Sequence, residues 1–362
     1  MAWITSVGVS IPEYEIAQRD IQSFVKEVFP RSEREITRLL PVFENAAVDK
    51  RQFVVPKEWF GQPHTFQERN ELYEEKALSY SLEAIDDCLK NKTFLQEPVP
   101  YEAIDYIIYV SSTGVATPTI DARIMNEREF REDVKRVPLW GLGCAGGGAG
   151  LARAMDFAHL YPESNILVVC VELCGLTFQK NDRRKSNFIG TALFGDGIAA
   201  ALVVGEKSPY ASNRISTAPQ MNQSSSKLKK HALDVMGWNV NEDGFQVVFA
   251  KSIPVLVETF WKGHVEQFLS TIHKKESDLS FFVAHPGGQK VLQAYQEVLN
   301  SSEKKFSHSY EVLKQHGNMS SATVIHVLKR WMEEFPKEGT ASILAALGPG
   351  FSSELVSLEW LK

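Results

Sequence analysis

Arg136-Val-Pro-Leu-Trp140-Gly-Leu-Gly-Cys144-Ala-Gly-Gly-Gly148-Ala-Gly150 is the stretch on which the rest of this chain is read. Short apolar residues lead up to a cysteine flanked by glycines. Leu151 to Ala158 then continues with good helix formers at a helical apolar period. The pattern predicts a strand, a sharp turn and a helix meeting at Cys144. Glycines there permit positive φ and let a substrate approach the backbone closely. A thiol at a helix N-terminus lies at the positive end of the helix dipole, which favours thiolate.

Two other readings compete at this point. A free cysteine is commonly a buried packing residue, although packing alone does not need the glycines. The second rival is Gly141-Leu-Gly143-Cys-Ala-Gly146, which matches the dinucleotide fingerprint G-x-G-x-x-G. An acid, Glu172, even ends the next predicted strand. It lies farther on than the roughly 20 residues usual for the ribose-binding acid.

The chain has 362 residues, 44% hydrophobic and 23% charged, which suits two domains or one large duplicated one. The net charge is −6 with no basic block, which argues against nucleic acid as the main partner. Cys88, Cys144, Cys170 and Cys174 have neither metal-ligand spacing nor disulfide-scaffold density, so no metal and a reducing cytoplasm are expected. Neither a signal peptide nor a transmembrane span is read from the sequence.

In order, Ala2 to Val9 reads as a strand, Glu15 to Phe29 as a helix and Asn70 to Lys90 as a long helix. Ile104 to Val110 is a buried strand ending at Ser111-Ser-Thr113-Gly114, the kind of strand end where ligand sites form. Ile166 to Glu172 and Ile198 to Val204 are further buried strands. Lys207 to Val240, rich in serine and lysine between Ser224 and Lys230, reads as a loop or hairpin region and the seam between halves. After it come the helix Ile253 to Ile272, the strand Leu279 to Ala284, helices over Lys290 to Leu299 and Ala322 to Phe335, and strands over Ser342 to Ala346 and Glu354 to Trp360. Helices alternate with buried strands in both halves, so the expected class is α/β, with much of each sheet parallel. The halves expected are residues 1–210 and 211–362.

Three reactive residues stand in small-residue settings: Cys144, His285 before Pro-Gly-Gly288, and Asn318 after Gly317. Taken singly, the histidine reads as structural and the asparagine as a turn or cap residue. Together they supply a nucleophile, a base or donor, and a neutral amide donor. A histidine beside a cysteine stabilises thiolate as an ion pair. Asparagine and histidine N–H groups both donate to a developing oxyanion or enolate.

Gly143-Cys144-Ala-Gly-Gly, Val171-Glu-Leu-Cys174-Gly-Leu-Thr-Phe178, Leu193-Phe194-Gly-Asp-Gly197, His285-Pro-Gly-Gly288, Gly317-Asn318-Met-Ser-Ser321 and Gly348-Pro349-Gly350 appear in that order. In this the chain resembles the type III polyketide synthases, the chalcone synthase relatives, and most closely their bacterial branch, which includes makers of long-chain alkylpyrones and alkylresorcinols. The resemblance covers nearly the whole chain. It implies a duplicated five-layer αβαβα thiolase fold, usually a homodimer, acting as a CoA-dependent acyltransferase without metal, nicotinamide or carrier-protein arm. A starter acyl group would pass from its CoA ester to Cys144. His285 and Asn318 would then bind malonyl-CoA, promote decarboxylation and stabilise the enolate that attacks the acyl-cysteine. Repeated extension and cyclisation would follow, giving long-chain alkylpyrones.

The resemblance also assigns a cavity. Phe194 matches the gatekeeping phenylalanine between CoA tunnel and cavity, and Val247 stands where plant members carry a second one. Cys174 replaces a plant threonine, Thr177 keeps the family's threonine, and Trp238 falls near a plant glycine of the cavity floor. Thr113, Ser320, Gly348, Pro349 and Gly350 complete the expected lining. Arg38, Lys50 and Arg51 are the candidates for CoA phosphates. The rivals are a ketoacyl-ACP synthase III, which usually carries His-Gln-Ala-Asn where this chain has His285-Pro-Gly-Gly288, a dinucleotide oxidoreductase, and a non-catalytic acyl-binding protein.

Overall fold

A computed structural model describes residues 1–362. Nine strands form the main sheet, in the order Phe281–Ala284, Thr340–Gly348, Ser352–Leu361, Ala218–Leu228, Ala2–Ser10, Asp196–Gly205, Asn165–Leu173, Tyr106–Ser111 and Lys135–Trp140. The middle of this sheet is a narrow join. Ala2–Ser10 pairs with Ala218–Leu228 only at Ala2↔Met221 and Trp3↔Gln220. Five strands lie on one side of the join and four on the other.

The two sides repeat one another. Tyr106–Ser111 pairs parallel with Asn165–Leu173, which pairs antiparallel with Asp196–Gly205, which pairs antiparallel with Ala2–Ser10. Phe281–Ala284 pairs parallel with Thr340–Gly348, then Ser352–Leu361 and Ala218–Leu228 follow antiparallel. The first half adds one parallel edge strand, Lys135–Trp140. Parallel pairing is thus confined to one end of each half, less than the α/β alternation alone suggests. The reason is that the last strand of each half runs antiparallel to both its neighbours, the first strand of the half and the one before it.

Between the two sheets lie two buried helices, Gly146–Leu160 and Ser321–Glu333. Each contacts strands of both halves. A helix packed on all sides carries no polar face, and Gly146 to Ala152 and Ser321 to Leu328 are buried without interruption. Outer helices complete the layers. Phe66–Leu89 covers the first sheet, with a capping box at Thr65 and Glu68 fixing its start. Lys262–Thr271 and Gln289–Leu299 pack in the second apolar core with strand residues Phe282, Ala284 and Ile343.

The serine- and lysine-rich segment is not a loop throughout. It contains the central strand Ala218–Leu228 and the first arm of a hairpin, Met236–Asn241 with Gly244–Phe249. Its serines are strand residues with polar partners. Ser225 Oγ lies 2.9 Å from His264 Nε2, and Ser226 Oγ donates to Glu354 at 2.5 Å. Composition suggested a loop because these partners lie far away in sequence. The helix expected from Glu15 starts at Gln18, after a short strand Tyr14–Ala17 paired with Lys50–Phe53.

Candidate active site

Cys144 lies in a 3-10 turn, Gly143–Ala145, that runs directly into the buried helix Gly146–Leu160. Gly143 has φ +47°, and a Cβ there would lie 2.8 Å from Pro349. Position 143 therefore needs glycine for both conformation and space. The other glycines serve packing rather than substrate approach. A Cβ on Gly147 would sit 2.4 Å from the Ser321 carbonyl oxygen, and one on Gly150 2.9 Å from Val168. Gly147 lets the two central helices touch, and Gly150 lets the first helix lie on the strands Tyr106–Ser111 and Asn165–Leu173.

Asn318 precedes the second central helix as Cys144 precedes the first. Its Oδ1 lies 3.7 Å and its Nδ2 3.8 Å from Cys144 Sγ. The Ser320 amide donates to that Oδ1 at 2.8 Å, which fixes the side chain and leaves Nδ2 to donate. The Asn318 backbone is tied to the gate segment. Its N–H donates to Leu193 O at 2.9 Å, and Gly195 N–H donates to Asn318 O at 3.0 Å. Phe194 is thereby held between Cys144's neighbour and the cavity.

His285 follows the strand Phe281–Ala284 and is 1% exposed. Neither ring nitrogen has a hydrogen-bond partner. A buried polar group left unpaired costs about 1–3 kcal/mol, so two on one ring mark a position built for a bound partner. The glycine turn after it packs on Leu193, where a Cβ at Gly288 would lie 3.7 Å from Leu193 Cδ1.

Burial dominates the electrostatics. It pushes the Cys144 thiol up to about 12, against hydrogen bonding from Ser320 and Asn318, while the Glu172 charge pushes the same way as burial. It pulls His285 down to about 3. Each group taken singly is therefore neutral at pH 7. The thiolate expected from the helix dipole alone is outweighed by desolvation. Charge separation has to come from the pairing of the two groups or from bound substrate.

Glu172 is not a ribose ligand. It is fully buried, and its carboxyl accepts from Ser112 N–H, Ser112 Oγ, Ser320 Oγ and Ser321 Oγ at 2.7–3.2 Å. Burial raises its pKa, with these donors opposing. Pro349 also covers the Gly143 turn. These contacts rule out the dinucleotide fingerprint, because a pyrophosphate has no space at this helix start.

Two cavities flank the segment Leu193–Phe194. The inner one is narrow and mostly apolar, with about 640 Å³ of unfilled space, part of it open to solvent. Cys174, Thr177, Phe194, Trp238 and Val247 all line it. Its far wall is the helix Gln18–Val28 through Ile21, Phe24, Val25 and Val28, which the apolar periodicity marked only as a core face. The outer cavity, about 1060 Å³ and also partly open, runs past Leu193, Phe249, Gly287 and Gly288. Phe194 stands beside both, 6.4 Å from the ring of Trp238 and 6.4 Å from that of Phe249. Phe249, two residues beyond Val247 on the same strand face, is a second aromatic beside Phe194. Strand alternation from Val247 finds it.

The remaining positions divide. Ser320 lies beside Cys144 and Asn318. Gly348 packs on Ala145, where a Cβ would lie 2.5 Å away, Pro349 covers Gly143, and Gly350 has φ +87°. Thr113 is buried, accepts from Leu173 N–H at 2.8 Å and lines a separate small pocket with Arg69 and Asn70. Arg51 lines the inner cavity but is 1% exposed, and its guanidinium is spent on Thr191 O, Phe194 O and Gln18 Oε1, each at 2.7 Å. It braces the backbone of Thr191 and Phe194 and, buried, is not free for a phosphate. Lys50 pairs with Glu15 at 2.8 Å, and Arg38 is exposed away from both cavities. The cations on the outer cavity are Lys185, Lys251 and Lys290. They sit on three separate segments, so no local charge run announced them.

No helix is long and apolar enough to cross a membrane. Residues 2–208 match the family described as chalcone and stilbene synthases, N-terminal domain, and residues 220–361 match its C-terminal domain. A "Putative chalcone synthase" of Bacillus subtilis (strain 168) is 46% identical over the whole of both chains. A 1,3,6,8-tetrahydroxynaphthalene synthase of Streptomyces peucetius is 33% identical over 99% of this chain and 93% of that protein. The crystal structure of the Streptomyces coelicolor 1,3,6,8-tetrahydroxynaphthalene synthase, a bacterial type III polyketide synthase, superposes with a TM-score of 0.89 at 30% identity, covering 99% of both chains. With the duplicated sheet and the Cys144–Asn318 junction, these matches establish the chain as a thiolase-fold member of the chalcone and stilbene synthase family, the type III polyketide synthases.

Proposed function

We propose that this enzyme extends a long-chain acyl-CoA starter with malonyl-CoA and releases alkylpyrones. The observations that support the chemistry are the buried His285 imidazole with neither ring nitrogen partnered and the contact of Cys144 with Asn318. In loading, the Cys144 sulfur attacks the acyl carbon as His285 takes the thiol proton. The C–S bond to coenzyme A breaks, and its thiolate leaves with that proton. In extension, the His285 and Asn318 N–H groups donate to the thioester oxygen of malonyl-CoA. The carboxylate departs as carbon dioxide, and the two donors hold the enolate. The enolate carbon attacks the acyl-cysteine carbonyl, and the Cys144 C–S bond breaks. Phe194, Trp238 and Phe249 would exclude water from this step.

The apolar wall supports the long starter. Ile21, Phe24, Val25 and Val28 present hydrocarbon where a short or aromatic starter would leave space unfilled. Cys174 and Val247 line the same cavity as that wall. Lys185, Lys251 and Lys290 are the proposed contacts for CoA phosphates. No metal or nicotinamide is required by this scheme. A homodimer is proposed from the family pattern. The second reading is a malonyl-primed aromatic product, in line with the tetrahydroxynaphthalene synthases that the chain resembles.

The test is product analysis by mass spectrometry with labelled malonyl-CoA and acyl-CoA starters from acetyl to stearoyl. Each buried methylene contributes about 0.8 kcal/mol, so kcat/KM should rise about fourfold per CH₂ until the wall is filled. Pyrone masses that grow with the starter are expected. A single malonyl-derived aromatic product with every starter would sink the long-chain reading.

A further inference from the structure

We infer that the end of the central strand and the loop after it, Lys227-Leu-Lys-Lys-His-Ala-Leu-Asp234, dock the enzyme on an anionic phospholipid surface. Single exposed apolar residues need no explanation. Here Leu228 is 58% and Leu233 80% exposed, and the two converge. A Cβ at Gly350 would lie 3.2 Å from Leu228 Cδ1 and 4.0 Å from Leu233 Cδ2, so both leucines flank one point of the surface.

The loop is built to present them. Ala232 and Val235 are buried in the second apolar core and pin its base. Lys229 N–H donates to Phe351 O at 2.9 Å, and Ala250 N–H donates to Val235 O at 2.8 Å. Between these ties the backbone bends at His231, whose φ is +60°. The leucines therefore point outward by construction.

Charge complements the patch. Lys227, Lys229 and Lys230 flank the leucines in a chain whose net charge is −6, and Asp234 is the one carboxylate of the run. The lysines engaged in ion pairs are elsewhere, at Lys50, Lys76, Lys90, Lys305, Lys314 and Lys329. Lys227 Nζ lies over the Phe260 ring, 5.6 Å from its centroid. A convex tip with two leucines among lysines suits insertion at the headgroup level, with the ammonium groups reaching to phosphate. Ala250, which holds the base of the loop, is also a wall residue of the outer cavity. Docking would bring that cavity towards the lipid. The inference does not depend on which starter the enzyme uses.

The experiment is co-sedimentation of the full chain with vesicles of phosphatidylcholine alone and of phosphatidylcholine mixed with phosphatidylglycerol, at low and high salt. Binding to the mixed vesicles only, weakened by salt, is expected. Leu228→Ser/Leu233→Ser should abolish it. Lys229→Glu and Lys230→Glu should each weaken it at least about fivefold. Turnover of a short acyl-CoA without vesicles, and the melting temperature, should stay at wild-type values and so report intact folding. Absence of binding, or binding that survives the leucine changes, overturns the proposal. So does a rise in KM for malonyl-CoA in the lysine variants with vesicle binding unchanged, which would give those lysines to CoA. A leucine variant that turns a dimer into a monomer would assign the patch to a second copy of the chain.

Discussion

The two central helices start alike and are used differently. Each is preceded by a residue at positive φ, Gly143 at +47° and Ser320 at +48°, and each delivers a reactive side chain to the same point, Cys144 from one and Asn318 from the other. The first helix begins with glycines, the second with Ser321, Ala322 and Thr323. Gly146 and Gly147 make room for the other helix, Gly148 and Gly150 for the flanking strands, and Ser321 carries a hydroxyl to Glu172. The two halves thus present two equivalent helix starts, and their different residues set a thiol from one beside an amide from the other. The same face contact that builds the fold sets the 3.7 Å between Cys144 and Asn318.

That comparison is broken most severely by filling the contact. Gly147→Val places carbon against the Ser321 carbonyl, which cannot yield without moving a helix, and should cost more than about 4 kcal/mol in denaturant unfolding. Gly141→Ala is the control. Its φ is +85° but nothing lies within 4 Å, so only strain of about 1–2 kcal/mol is expected. Equal effects of the two substitutions would show that helix contact is not what Gly147 serves.

Next in size is the donor pair. His285→Ala and Asn318→Ala should each slow malonyl-CoA decarboxylation about 10²–10³-fold, the usual loss for one preorganised donor. Release of labelled carbon dioxide reads this directly. Glu172→Gln is milder. Its amide would face groups that already donate, from Ser112, Ser320 and Ser321, and should cost about 1–3 kcal/mol of stability.

The smallest expected effect is on pH. Burial holds His285 down to about 3, so once the thiol is removed nothing in the donor pair titrates near neutrality. Decarboxylation by Cys144→Ala should therefore be flat from about pH 5 to about pH 8. An inflection near the ordinary histidine value would mean that the imidazolium is the working form even without a thiolate partner.

Much of this was legible in the sequence, for physical reasons. Cys144 and Asn318 follow glycines that both packing and positive φ require, Gly143 and Gly317, and His285 precedes Gly288 at φ +148°, so the letters around them are restricted. Buried strands announced themselves by apolar runs. The phosphate candidates were not legible. Arg51 has the composition of a surface cation, yet three acceptors far off in sequence hold it inside, at Gln18, Thr191 and Phe194. Lys185, Lys251 and Lys290 converge only after folding. The strand Ala218–Leu228 was hidden because its polar residues find partners such as His264 and Glu354 across the second half.

The most direct measurement separates the two helix starts. Cys144→Ala and Asn318→Ala proteins would each be given labelled malonyl-CoA and, separately, an acyl-CoA, with carbon dioxide release and intact-protein mass recorded. Division of labour requires that Cys144→Ala still decarboxylates but never gains the acyl mass, and that Asn318→Ala gains the acyl mass but decarboxylates slowly. An acyl adduct on Cys144→Ala, or full decarboxylation by Asn318→Ala, would contradict it.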